Sequence, residues 1–182
     1  MNQNDWVGDV LHFWFDEVGP DSWFTRDDAI DAAIANRFKD LWLALKIRIP
    51  TDTLLKPDAA LAATIVLDQF PRNMFRGTSD AFVTDRLALA LSRNAVAEGL
   101  DTEMSDDHRI FLYMPFMHSE SLDDQERCVE LFSAFEEQTP YAIEHRDIIA
   151  KFGRFPHRNR ALGRESSDEE RAFLTEHQGF GQ

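Results

Sequence analysis

At 182 residues, with 43% hydrophobic and 29% charged side chains, the chain fits one globular domain over residues 1–182 with a substantial core. A formal net charge of −14 excludes a general nucleic-acid binder, which would repel phosphate over most of its surface. The single cysteine, Cys128, excludes an intramolecular disulfide framework and a multi-cysteine zinc site. Met1 to Asp5 lack the basic and apolar stretches of a signal peptide, and apolar runs such as Ile110 to Met117 are far shorter than a membrane span. A soluble, cytoplasmic protein without membrane contact is the expectation.

In chain order, the first predicted helix covers residues 5–15, where Val7, Val10, Leu11 and Trp14 recur at helical spacing behind Asp5 as N-cap. Gly19-Pro20 breaks it. Asp27 or Asp28 opens a second helix with Ile30, Ile34, Phe38, Leu41, Trp42 and Leu45 on one face, and Pro50 ends the segment after it. Pro57 suits the first position of a third helix running through Leu61 and Ile65 to Asp68. A fourth runs from Ala81 to about Glu98, with Gly99 just past its end. The fifth begins near Ser105 and is apolar all round from Ile110 to Met117, the mark of a central helix. Ser121 or Asp123 starts a sixth with Cys128, Leu131, Phe132 and Phe135 as its inner stripe; Cys128 reads as a small buried hydrophobe. Pro140 opens a seventh that ends at Gly153, and Ser167 with Glu170 makes a capping box for a short eighth through Thr175. No stretch alternates as a strand would, and no repeat of 34 residues is present. The predicted class is all-α, in stacked antiparallel helix pairs.

Three polar islands interrupt this apolar pattern. In the first, Asp68 falls on the same face as Leu61 and Ile65, where an unpaired carboxylate is expensive, so it needs an arginine partner or several backbone donors. Pro71 should push Phe70 out of helical geometry and turn the chain there. The island is then either a salt-bridged helix exit or a binding loop presenting Arg72, Asn73 and Arg76. In the second, Pro115 should kink the apolar helix, leaving His118 and Glu120 emerging at its end as a helix cap or an acid–base pair.

The third island runs from His145 to Arg164. Arg146, Lys151, Arg154, Arg158, Arg160 and Arg164 face one acid, Asp147, a local balance of +5 in an acidic protein. Past Gly153, residues Arg154 to Asn159 should form an exposed turn anchored by Phe155 and Pro156. Arginine's planar fork suits bidentate contacts, so these side chains either neutralise carboxylates elsewhere in the fold or receive an anion. His145-Arg146-Asp147 has the letters of a kinase catalytic loop, but no Gly-rich loop or strand lobe accompanies it. Phosphate-loop, His-Glu-x-x-His, Glu-x-x-His and Gly-x-Ser-x-Gly motifs are absent, so neither a metal nor another cofactor is indicated.

Taken together, Leu67-Asp68-Gln69-Phe70-Pro71-Arg72-Asn73 with Phe75-Arg76-Gly77, Pro115 to Glu120 with Asp124-Gln125-Glu126, Arg146-Asp147, Gly153 to Asn159 and Leu162-Gly163-Arg164-Glu165 resemble a widespread family. It is the mainly bacterial family catalogued as domain of unknown function 924, and the resemblance spans Val10 to Phe180. It implies a helical fold similar to tetratricopeptide-repeat proteins, without their repeat consensus. It implies no activity, and it assigns no catalytic residue.

From the residues, the leading function is binding of an anionic small molecule or acidic peptide through Arg72, Asn73, Arg76, Arg154, Arg158 and Asn159. The alternative is an enzyme on an anionic metabolite, in which Arg154, Arg158 and Arg72 orient the substrate. There His118 or His157 would exchange protons against Asp68 or Glu120. A third possibility is a structural polar network that closes the fold.

Overall fold

The computed structural model describes residues 6–177. Asp5, the expected first N-cap, and Phe180, the end of the family resemblance, lie outside the described residues. Among these, eight α-helices and no strand are present. They are α1 Trp6–Leu11, α2 Asp28–Ile47, α3 Pro57–Met74, α4 Asp85–Ala97, α5 Asp106–Met117, α6 Leu122–Phe132, α7 Thr139–Phe152 and α8 Asp168–Glu176.

Helix α1 continues as π-helical turns over His12–Val18. Gly19 closes them at φ 71°, its N–H reaching back five residues to the Trp14 carbonyl at 3.2 Å. That carbonyl also accepts the Trp23 indole N–H at 2.8 Å. Helix α2 starts as expected: the Asp27 carboxylate accepts the N–H groups of Ala29 and Ile30, and Ile34, Phe38, Trp42 and Leu45 are buried.

Helix α3 is the hub and packs on α1, α2, α4 and α5. Every residue from Ala59 to Arg72 is buried, and four alanines on its first half let neighbouring helices approach closely. The expected turn before Pro71 does not occur; the helix carries on to Met74. Pro71 cannot donate to the Leu67 carbonyl, but the Thr84 hydroxyl does so at 2.6 Å. Thr84 in turn accepts the Trp42 indole N–H at 3.1 Å. Its backbone, at φ −105° and ψ 1°, stands outside the helix, which is why the single helix expected over Ala81 to Glu98 is divided. A 3₁₀ turn covers Ser79–Phe82, and α4 follows from Asp85.

Helix α5 is buried throughout Ile110 to Met117, as its composition predicts. Its end is held by Gln125 of α6, whose amide donates to the carbonyls of Met117 and Ser119 at 2.7 Å each. Cys128 is fully buried on α6, and burial pushes its thiol pKa up. Helices α2, α3 and α4 pack consecutively, as do α5, α6 and α7. The core between them is aromatic: Trp14 lies against Phe70 and Phe111, with ring centroids 5.7 and 5.4 Å away. Gly153 ends α7 in the left-handed conformation at φ 68°, and the 3₁₀ turn Pro156–Arg158 leads towards α8, whose capping box forms as predicted. No helix among the described residues is long and apolar enough to cross a membrane.

Candidate functional site

Asp68 sits on the buried face of α3 with no exposed surface. His118, the first residue past α5, places Nδ1 2.9 Å from each of its carboxylate oxygens, and the Gln69 amide donates to Oδ2 at 2.6 Å. Arg72, one turn along α3, lies 3.5 Å from Oδ1 and also donates to the Asp68 carbonyl. Burial opposes ionisation of Asp68, but Arg72, His118 and the hydrogen bonds from His118 and Gln69 outweigh it and hold the carboxyl below its usual range. His118 moves the same way for the opposite charge type. Burial and then the Arg72 charge lower its pKa against the pull of Asp68, so the ring is neutral near pH 7. A carboxylate only accepts, so Nδ1 carries the ring hydrogen and Nε2 carries a lone pair. Among the described residues, Nε2 has no hydrogen-bond partner.

Arg158 enters from the segment after α7 and is 4% exposed. Its guanidinium carbon lies 4.5 Å from the Phe155 ring centroid and 4.8 Å from that of Phe82. Nη1 donates to the His118 carbonyl at 3.0 Å and reaches Asp85 Oδ2 at a long 3.4 Å. Its Nε is buried without a partner, and among the described residues Nη2 has none either. Burial, followed by the nearby Arg72 charge, lowers the Arg158 pKa to about 10.

The other arginines are better matched. Arg72 grips Asp85 with Nη1 and Nη2, both at 3.1 Å. Arg154 grips Glu170 at 2.7 and 2.9 Å and the Glu165 carbonyl at 2.9 Å. Arg164 grips Glu120 at 2.7 and 2.9 Å, the Phe155 carbonyl at 3.1 Å and Asn159 Oδ1 at 2.9 Å. Asn159 passes the network on to Ser166 and Glu170 at 3.0 and 3.3 Å. Glu120 also accepts the Phe155 backbone N–H at 2.8 Å. Arginine-held and half-buried, it stays ionised: burial raises its pKa, but Arg164 and that N–H lower it further.

The structure thus brings Asp68, His118, Arg72 and Arg158 together, with Glu120, Arg154 and Asn159 in an adjoining network. It does not pair His118 with Glu120: α5 ends at Met117, so His118 turns towards α3 and Glu120 towards residues 154–164. Asn73 and Arg76 go elsewhere, both donating to Asp31 of α2 at 2.6–2.9 Å. The turn over Arg154 to Asn159 is not exposed; Phe155, Pro156, Arg158 and Asn159 are buried because Glu120, Glu170 and Asp85 draw its donors inward. His157 lies beside the Phe155 ring at 5.4 Å, and burial, with Arg158 second, lowers its pKa to about 3. Burial likewise lowers His145 to about 3, while its Nδ1 engages the Tyr141 carbonyl at 2.7 Å.

Arg164, named from the sequence only as part of the basic stretch, joins the network on Glu120, and Asp85, Gln69 and Glu170 complete it without having been singled out from the sequence as its members. Glu170 was visible only as half of a capping box; its carboxylate serves the cap and Arg154 together. Among the described residues, no group of three or more His, Cys, Asp or Glu side chains is placed to hold a metal ion.

Residues 10–178 match the family model described as bacterial protein of unknown function, DUF924. A solved structure of a protein of unknown function from Agrobacterium tumefaciens is 41% identical, covering 94% of this chain and 97% of its own, with a TM-score of 0.90. No match was found among curated proteins. With a family model spanning most of its length and a solved relative at this identity, the chain belongs to the bacterial DUF924 family.

Proposed function

We propose that the protein binds a small anionic molecule at Arg158, beside the Asp68–His118 pair. One observation carries this reading: a guanidinium 4% exposed, with Nε and Nη2 unpartnered and its one carboxylate contact stretched to 3.4 Å. Buried charges are ordinarily paired and hydrogen-bonded, and an unmet one costs several kcal/mol. The rings of Phe82 and Phe155 lie within 5 Å, and the guanidinium's in-plane N–H edge is the part able to take two oxygens of one anion. Arg72, Arg154 and Asn159 shape the surroundings, while Asn73 and Arg76 serve the contact with α2.

A second reading, a purely structural network, is favoured by the bidentate pairs Arg72–Asp85, Arg154–Glu170 and Arg164–Glu120. Arg158→Met separates the two. Asp85 retains both Arg72 contacts in that variant, and replacing a poorly paired buried cation with an apolar side chain is close to neutral. Calorimetric titration and urea unfolding with inorganic phosphate and glycolate as probes give the test. Binding is expected in the wild type, adding about 2.7 kcal/mol of stability at a hundred times the Kd. Arg158→Met should abolish it while changing stability by no more than about 1 kcal/mol. Loss of several kcal/mol in the variant, with no probe bound by the wild type, would establish the structural reading instead.

A further inference from the structure

We infer that α8 is a releasable strap: residues 165–177 lift off α7 as one unit while α1 to α7 stay folded, and the Glu170 carboxylate on Arg154 is the latch. The strap is independent of any ligand at Arg158.

Helix α8 has little apolar hold on the molecule. Of its nine residues, Glu170 is the buried one. Its Phe173 ring meets Phe152 of α7 at 5.1 Å, at the edge of a second, smaller core made of Ile148, Ile149 and Phe155. The main core around α3 has no member from α8. Nor is the seam between α7 and α8 sealed. A groove of about 670 Å³ runs along it, with Tyr141, Ile148, Phe152 and Phe173 in its walls. Side chains across an open groove forgo the close contact that holds a packed pair of helices. A helix of nine residues is not stable alone, so α8 melts once it leaves α7.

What holds the strap is polar. Glu170 accepts Arg154 Nε and Nη2 at 2.7 and 2.9 Å, and the Asn159 amide at 3.3 Å. Arg154 also reaches the Glu165 carbonyl, and Asn159 reaches Ser166 Oγ. Two surface contacts, Lys151–Glu169 at 3.3 Å and His177–Glu144 at 3.2 Å, contribute less. Arg171 turns back on Asp168 and the Ser166 carbonyl, inside the strap itself.

The hinge follows from what stays behind. Arg164 grips Glu120 twice, the Phe155 carbonyl and Asn159 Oδ1, so residues 154–164 stay pinned beside the end of α5 when Glu170 lets go. Movement therefore begins at Glu165. Opening frees the donors of Arg154 and Asn159 next to the side of α7 that carries Phe152. When closed, Glu170 and Phe173, one turn apart on α8, occupy both.

Amide hydrogen exchange followed by NMR on the full chain is the test. Release as a unit gives the amides of residues 171–176 one common protection factor, at least about tenfold below that of α3. Ile65→Val, in the main core, should lower α3 protection about three- to tenfold and leave 171–176 unchanged, because that core is intact in the open form. Glu170→Gln keeps an oxygen for the Ser167 N–H but removes the charge facing Arg154, and should lower protection over 171–176 about tenfold or more. Three results would overturn the strap: α8 and α3 losing protection together in Ile65→Val, protection graded along α8 as in fraying from one end, or α8 unaffected by Glu170→Gln. Should Glu170→Gln not fold, the wild type and Ile65→Val decide alone.

Discussion

Thr84 shows how much one hydroxyl can settle at the scale of a single residue. It donates to the Leu67 carbonyl that Pro71 leaves open and accepts from the Trp42 indole, joining three helices at a fully buried position. Thr84→Val preserves the shape and strands both partners, so urea unfolding should show a loss of about 2–4 kcal/mol. Pro71→Ala supplies a backbone N–H for Leu67, and in the double variant it should recover about 1 kcal/mol of that loss. Additive losses would mean that Thr84 does not act through that carbonyl. The sequence announces half of this arrangement. Proline at position 71 states that a hydrogen bond is missing, but its replacement comes from a side chain 13 residues away. Likewise the burial of Asp68 demands a partner, and arginine was the natural expectation from its neighbours. Gln69 beside it donates at 2.6 Å, and the titratable partner nearest to it is His118, 50 positions on, at 2.9 Å against 3.5 Å for Arg72; only tertiary packing chooses between the histidine and the arginines.

At the scale of elements, local chemistry was the reliable guide. The caps at Asp27, Ser105 and Ser167 and the left-handed glycines at 99 and 153 sit where short-range hydrogen bonding and sterics require them. Gly153→Ala tests one of these. A Cβ there meets nothing within 4 Å, so any loss reflects the φ of 68° alone and should be about 1 kcal/mol by thermal or chemical unfolding. Where sequence and structure part, tertiary contacts have overruled a local preference. Helix α3 runs through Pro71, the fourth predicted helix divides at Thr84, and the first widens into π turns before Gly19. The buried course of residues 154–159 belongs with these, since its partners Glu120, Asp85 and Glu170 lie on other elements.

Over the whole molecule, buried neutral histidines couple folding to pH. His118, His145 and His157 all have lowered pKa values in the native state, two of them about 3, against 6.5 when exposed. The unfolded chain therefore binds more protons than the native one below about pH 6.5, and stability present above that value is lost as pH falls towards 3. Each such histidine contributes a slope of about 1.4 kcal/mol per pH unit within that window. Urea unfolding between pH 7.5 and 4.5 should accordingly steepen to more than one proton taken up per molecule, and His145→Asn should remove about one of them. A flat profile down to pH 4.5 would mean that the native protein protonates these rings without resistance. Net charge was legible here as a question: the basic stretch had either to neutralise acids or to receive one. Arg154 and Arg164 take the first course, and Arg158 is left under-partnered because Asp85 already belongs to Arg72.

The grip of Arg164 and Phe155 on Glu120 has a consequence for how the molecule is made. Synthesis is vectorial, so Asp85 and Glu120 leave the ribosome before residues 154–164 do. In the interval Glu120 can remain ionised only by staying hydrated, and the end of α5 cannot seal. Helices α1 to α4 can gather around α3 during translation, whereas the polar half waits for a segment more than thirty residues downstream. Closure is therefore a late event on the nascent chain, and its timing is set by where the arginines are encoded rather than by the apolar core.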